Sequence, residues 1–245
     1  MFAALWWKKG TGRFWAVAGI TTSITIVFTC ASSTPVMGVA AGILGGAMFF
    51  LRRNMRLIRW GTVLSLVALH IVMQAPVWHL ISRISAVGGS TGYFRYILID
   101  SAIKRFPEWF LLGTRSTAHW FWGAQDITNQ YIFEGVRGGF LTLALFLVII
   151  ALGFQGVGRL WRRHAGEPFK LALSWALGVS LFVSCVQFIG VSYTGGAILI
   201  VWFLPLAIIG SLSPQSAAVK QTSSALRRIS YLKSRVLRTS VYSPK

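Results

Sequence analysis

The chain has 245 residues, enough for one or two soluble domains, yet 55% are apolar and only 12% charged, about half the charged share of a soluble domain. Five acidic residues face 24 lysines and arginines, a formal charge of +19, but the basic residues cluster between apolar stretches, which reads as membrane topology and sets a nucleic-acid surface aside. Cys30 and Cys185 have neither the spacing of a metal site nor that of a disulfide framework.

In chain order, six stretches come close to the roughly 20 apolar residues that span a hydrocarbon core. They cover about 14–31, 36–51, 61–77, 138–157, 171–191 and 195–212. A tight turn, Ser32-Ser33-Thr34-Pro35, separates the first two. The second carries Gly38, Gly42 and Gly46, a small-xxx-small ladder suited to close helix packing within the bundle or between copies. His70 in the third is expected to make a hydrogen bond between helices.

Basic clusters at Lys8, Lys9 and Arg13, at Arg52 to Arg59, at Arg159 to Lys170, and after residue 212 all fall on one side if the N-terminus is cytoplasmic. A cleaved signal peptide is a competing reading of the first stretch, because small residues follow it. The expected fold is therefore all-α: a polytopic membrane bundle of about six transmembrane helices over 1–212. A basic cytoplasmic tail follows over 213–245, and its 225–237 stretch could form an amphipathic helix on an anionic leaflet.

One outward loop, about 78–137, holds the remaining basic residues and every acid except Glu167. At about 60 residues it is too long for a passive connection. Gly88-Gly89-Ser90-Thr91-Gly92 reads as a turn leading to a helix over 93–106, stopped by Pro107. On that helix Asp100, Ser101, Lys104 and Arg105 share one arc, while Arg95 lies opposite, in line with Leu98, Ile99, Ala102 and Phe106. An arginine on an apolar face must either bend out to solvent or meet an anion. Further on, Asp126, Gln130, Glu134 and Arg137 recur as a polar helical stripe. Asp126 could cap that helix, with Glu134 and Arg137 paired on the surface; alternatively the stripe lines a polar cavity. His119 lies between, beside Trp120. A solvated histidine and an acid–base group are both consistent with that setting. Metal-ligand spacing, a phosphate-binding loop and a nucleophile elbow are not found.

Several segments in this order resemble the C-terminal half of the O-antigen ligase/polymerase superfamily over about 14–210. They are Ser32-Ser33-Thr34-Pro35 before a Gly-rich span, Ala75-Pro76-Val77-Trp78, Gly89-Ser90-Thr91-Gly92-Tyr93-Phe94-Arg95, Trp109-Phe110-Leu111-Leu112-Gly113-Thr114, and Asp126-Ile127-Thr128-Asn129-Gln130-Tyr131 before Gly138-Gly139. The resemblance implies a metal-independent membrane glycosyltransferase of surface polysaccharide biosynthesis, without cofactor, in the bacterial inner membrane. It implies transfer of glycan from an undecaprenyl-diphosphate carrier. Arg95, with Arg115 as a second loop arginine, would bind the diphosphate, and Asp126 or His119 would act as the base on an acceptor hydroxyl. Where many members carry a His-Asn pair, this chain has Asp126-Ile127-Thr128-Asn129. Relatives hold about twice as many spans, so a preceding helical half or another assembly subunit is an expected partner, with membrane lipid and the lipid-linked glycan. Two other classes stay open: a transporter, which the scarcity of ionisable groups within the spans disfavours, and an inactive assembly subunit.

Overall fold

The computed structural model describes residues 11–30, 32–74, 76–83, 91–193 and 204–211. Lys8, Lys9, the Gly88–Ser90 part of the expected turn, the first part of the sixth stretch and the basic tail lie outside the described residues. All regular structure among the described residues is helical. In order come α1 (Thr11–Thr29), α2 (Ser33–Ala47), a 3-10 turn at Arg52–Asn54, α3 (Met55–Val72) and a second 3-10 turn at Val77–His79. Then follow α4 (Leu80–Arg83), α5 (Thr91–Lys104), α6 (Phe106–Trp109), α7 (Gln130–Arg163), α8 (Pro168–Gln187) and α9 (Leu204–Ser211).

Among the described residues three helices are long and apolar enough to cross a membrane: α3 with its preceding 3-10 turn, α7 and α8. The 15 residues of α2 rise about 22 Å, short of the roughly 30 Å of a hydrocarbon core. Nothing in α3 is buried, and Leu57, Ile71 and Val72 are each about three-quarters exposed, a surface that water disfavours and hydrocarbon accommodates.

Small residues set the packing of the bundle. Helix α8 contacts α2, α7 and α9. On α2 the buried face is Ser33, Thr34, Gly38, Ala41 and Gly45; of the 38/42/46 ladder expected from spacing, Gly38 and Gly42 face Gln187 and Val183 of α8, but Gly46 does not. A Cβ on Gly45 would come 3.1 Å from Val179, while nothing lies within 4 Å of one on Gly46. The register follows the helical period of 3.6 rather than a strict four-residue repeat. The small face packs within the bundle, against α8. On α7, a Cβ on Gly156 would sit 2.7 Å from Ile209 of α9, so glycine is what lets these backbones approach. Two apolar clusters fill the interfaces: Phe146, Ile150, Leu181 and Phe188, and further along Val157, Leu160, Leu177 and Ile209.

The outward loop departs from expectation at two places. Helix α5 ends at Lys104, and Pro107 lies in the first turn of α6, where a missing N–H costs nothing. Helix α7 begins at Gln130, capped by Asn129, whose Oδ1 accepts from Ile132 N at 3.1 Å. Asp126 therefore precedes the helix and does not cap it. The polar stripe thus begins only at Gln130.

The loop is stitched into α7 where that helix breaks. Gly138 and Gly139 leave helical geometry, Gly139 with φ 76° and ψ −177°, a region open essentially to glycine alone. Phe140 N donates to Phe110 O at 2.8 Å, and Thr114 N donates to Val136 O at 2.7 Å. The backbone groups freed by the break are thus satisfied by the segment after α6. Above it, Leu98, Ala102, Trp109, Trp120, Ala124, Ile127 and Val136 form a separate core for the loop.

Candidate functional site

Arg95 sits in the first turns of α5 on the same face as Leu98 and Ala102, and all three are buried, Arg95 with 6% of its surface exposed. The apolar-face placement read from the helical period holds, but the side chain does not bend out to water. It reaches the start of α2 instead. Nη2 donates to Thr34 Oγ1 at 2.9 Å and to Ser33 Oγ at 3.2 Å, and Nη1 lies 3.8 Å from Met37 Sδ. Thr34 Oγ1 in turn donates to Gly190 O at 3.4 Å. The guanidinium lies over Gly190 so closely that a Cβ there would stand 3.0 Å from Cζ. Burial pulls the Arg95 guanidinium below its ordinary value, the expected direction for a cation losing hydration.

The electrostatics of this arrangement are incomplete. The first turn of α2 is the positive end of a helix, with Ser32 supplying no side-chain cap. Two hydroxyls accept from the arginine there, yet among the described residues no carboxylate lies within ion-pairing distance of it. Beyond these hydroxyls, the Gly190 backbone lies against the guanidinium. A cation buried against a helix N-terminus is a setting that an anion would stabilise from both sides.

The chain past α8 is held in place by the start of α7. Gln130 N donates to Phe188 O at 2.8 Å, Asn129 Nδ2 to Ile189 O at 3.2 Å, and Tyr193 N to Gln130 Oε1 at 2.7 Å. Gln130 is fully buried, and its Nε2 donates to Glu134 Oε1 at 2.7 Å. Tyr131 OH donates to Cys185 O at 2.8 Å. Segments far apart in sequence therefore converge at Arg95: the start of α2, the first turns of α5, and the strand of chain after α8 braced by α7.

The other predicted site residues lie elsewhere in the loop. His119 Nε2 bonds Glu108 Oε2 at 2.8 Å, and the same carboxylate accepts from Trp120 Nε1 at 3.0 Å and Arg105 Nη1 at 2.9 Å. Glu108 thus ties α6 to the segment before α7, and the hydrogen bond to His119, ahead of those to Arg105 and Trp120, holds its carboxyl below the usual carboxylate range. Asp126 and Arg115 are exposed. None of the three bonds to a residue at Arg95. Asp100 pairs with Lys104 at 2.7 Å, as their shared arc implies. Glu134 accepts from Gln130, while Arg137 lies over the Phe133 ring, 5.6 Å from its centroid; the two form no ion pair.

Sequence reasoning missed Ser33, Thr34 and Gly190 as neighbours of Arg95. Ser33, Thr34 and Pro35, expected from sequence to form a turn between apolar stretches, are instead the first turn of α2, and nothing local to them points to residue 95. Among the described residues no group of three His, Cys, Asp or Glu is placed to hold a metal ion. His70 stacks on Trp78 at 5.8 Å and its Nδ1 accepts from Val77 N at 3.3 Å, a contact within the connection that follows its own helix rather than between helices. No family model, no curated protein and no solved structure matches this chain.

Proposed function

We propose that this chain is a multi-pass inner-membrane protein of surface polysaccharide assembly that binds an undecaprenyl-diphosphate-linked glycan through Arg95 and takes part in its transfer, as a polymerase or ligase. In this reading six spans place both termini in the cytoplasm and the 78–137 loop outside. One observation carries it: Arg95 is buried against the start of α2 with hydroxyl partners and without a described carboxylate. A diphosphate would accept two parallel hydrogen bonds from the guanidinium and further ones from the free N–H groups of α2. In glycan transfer, charge grows on the departing diphosphate, and a fixed guanidinium would stabilise it without reorganising. His119 or Asp126 would have to be brought to an acceptor hydroxyl by substrate or by partner.

That last requirement favours a second reading, a carrier-binding subunit without chemistry of its own, because neither residue bonds to the Arg95 site. Complementation of a strain that lacks surface glycan distinguishes the two, with the intact chain and with Arg95→Ala. If the chain transfers glycan, it restores polymer, and Arg95→Ala lowers that yield on the order of a hundredfold. If the chain only binds the carrier, polymer returns solely with a partner enzyme present. Wild-type yield from Arg95→Ala in a working system would refute the diphosphate role in both readings.

A further inference from the structure

Beyond the Arg95 site, the structure carries an inference about the segment that follows α6. Leu111 and Leu112 are 77% and 88% exposed, Phe106 and Phe110 more than a third. Four exposed apolar side chains within seven residues of a loop are unexpected if the loop stands in water. They are not isolated. Phe106 and Phe110 pack on the Phe140 ring at 6.2 and 5.6 Å, and on each other at 4.9 Å. Phe140 is itself 46% exposed and begins the helical run of α7 below the break. Next to it Leu141, Leu145, Val148 and Leu152, all more than half exposed, recur at helical spacing along one face.

Depth follows from the helix itself. From Phe140 to Arg159 the rise is about 29 Å, close to the roughly 30 Å of a hydrocarbon core. With Arg159, Arg162 and Arg163 at one boundary, Phe140 stands at the other. The bond from Phe140 N to Phe110 O fixes the loop at that level. We infer that Phe106 and the Phe110–Leu112 segment form an apolar wedge seated among the lipid chains of the leaflet opposite the arginine-rich end of α7. The occupant is lipid rather than a protein partner, because the wedge continues without interruption the exposed stripe that α7 offers to the hydrocarbon. The inference needs only that α7 crosses the membrane; it does not depend on glycan transfer.

Spin labels test it. The full chain, with Cys30→Ser and Cys185→Ala, is reconstituted in vesicles of phosphatidylethanolamine and phosphatidylglycerol, with single cysteines at Leu112, at Leu145 as the lipid reference and at Ser116 as the water reference. Leu112 is almost wholly exposed, so its replacement disturbs no packing, and Leu111→Cys gives an independent second reading. At positions 112 and 111 the ratio of collision with oxygen to collision with a water-soluble nickel chelate should match position 145 and exceed position 116 several-fold. A ratio equal to that at 116 would place the loop in water and overturn the wedge. Exclusion of both reagents would show protein cover and overturn it equally.

Discussion

A guanidinium withdrawn from water loses strong hydration, and in Arg95 two hydroxyls and a sulfur replace it. Neutral acceptors recover part of that loss, and an ionic partner recovers more. Arg95→Lys keeps the charge but not the planar fork, so it should behave nearer to Arg95→Ala than to wild type in glycan complementation. Gly190→Ala should have a related effect without touching the charge, because its Cβ would meet Cζ at 3.0 Å; a variant that retains full polymer yield would show that the guanidinium can move aside freely. Gln130 is a structural counterpart. Replacing it with leucine leaves the Tyr193 N–H without its acceptor, at a cost of about 1–3 kcal/mol, visible as a lower thermal midpoint in detergent. Glu108 answers to pH. Its carboxyl titrates below the ordinary range, chiefly through His119, so its contribution is present above the unfolded carboxylate value of about 4.3. It is lost as pH falls through the depressed value. Protection from hydrogen exchange across 105–120, taken relative to the intrinsic rate at each pH, should therefore fall below about pH 4, and Glu108→Gln should remove that dependence.

Among the elements, α7 shows most directly how a local rule is overridden. Its 34 residues would rise about 51 Å as one rod, and Gly138-Gly139 divide it at the level where the loop joins. Gly139→Ala places a side chain where φ is 76° and where a Cβ would overlap the Leu111 carbonyl oxygen. The backbone strain alone costs about 1–3 kcal/mol, and the overlap adds to it. Loss of the loop's protection from protease, with α7 and α8 still protected, is the expected result. The pair of glycines was legible before a span, but the reason for them was not, since the partner backbone at 110–114 lies about 25 residues earlier in the chain. Similarly, apolar and charged arcs of α5 followed from period alone. The end of that helix did not, because Pro107 suits a helix start as well as a helix stop.

Across the whole molecule, charge clustering and apolar length predict which side faces the cytoplasm. Reporter fusions after residue 54 and after residue 166 should report the cytoplasm, and a fusion within 114–126 the opposite side; a cytoplasmic signal from the last would refute the proposed topology. Helical class, the apolar stretches, the mixed-charge loop and the position of Arg95 on an apolar face were all set by composition and by the 3.6-residue period, which act over a few turns. Three things required the tertiary structure. The loop turned out to have its own core and to enter α7 at a break. Arg95 turned out to be buried on α2 and Gly190, with Asp126, His119 and Arg115 outside its hydrogen-bonding shell. The small-residue face of α2 turned out to be the one that α8 selects. Each depends on which distant backbones approach one another, and a local pattern carries no information about that separation. The helical class and the apolar stretches thus come from the sequence, while the burial that makes one arginine a candidate site comes from contacts between residues more than sixty positions apart.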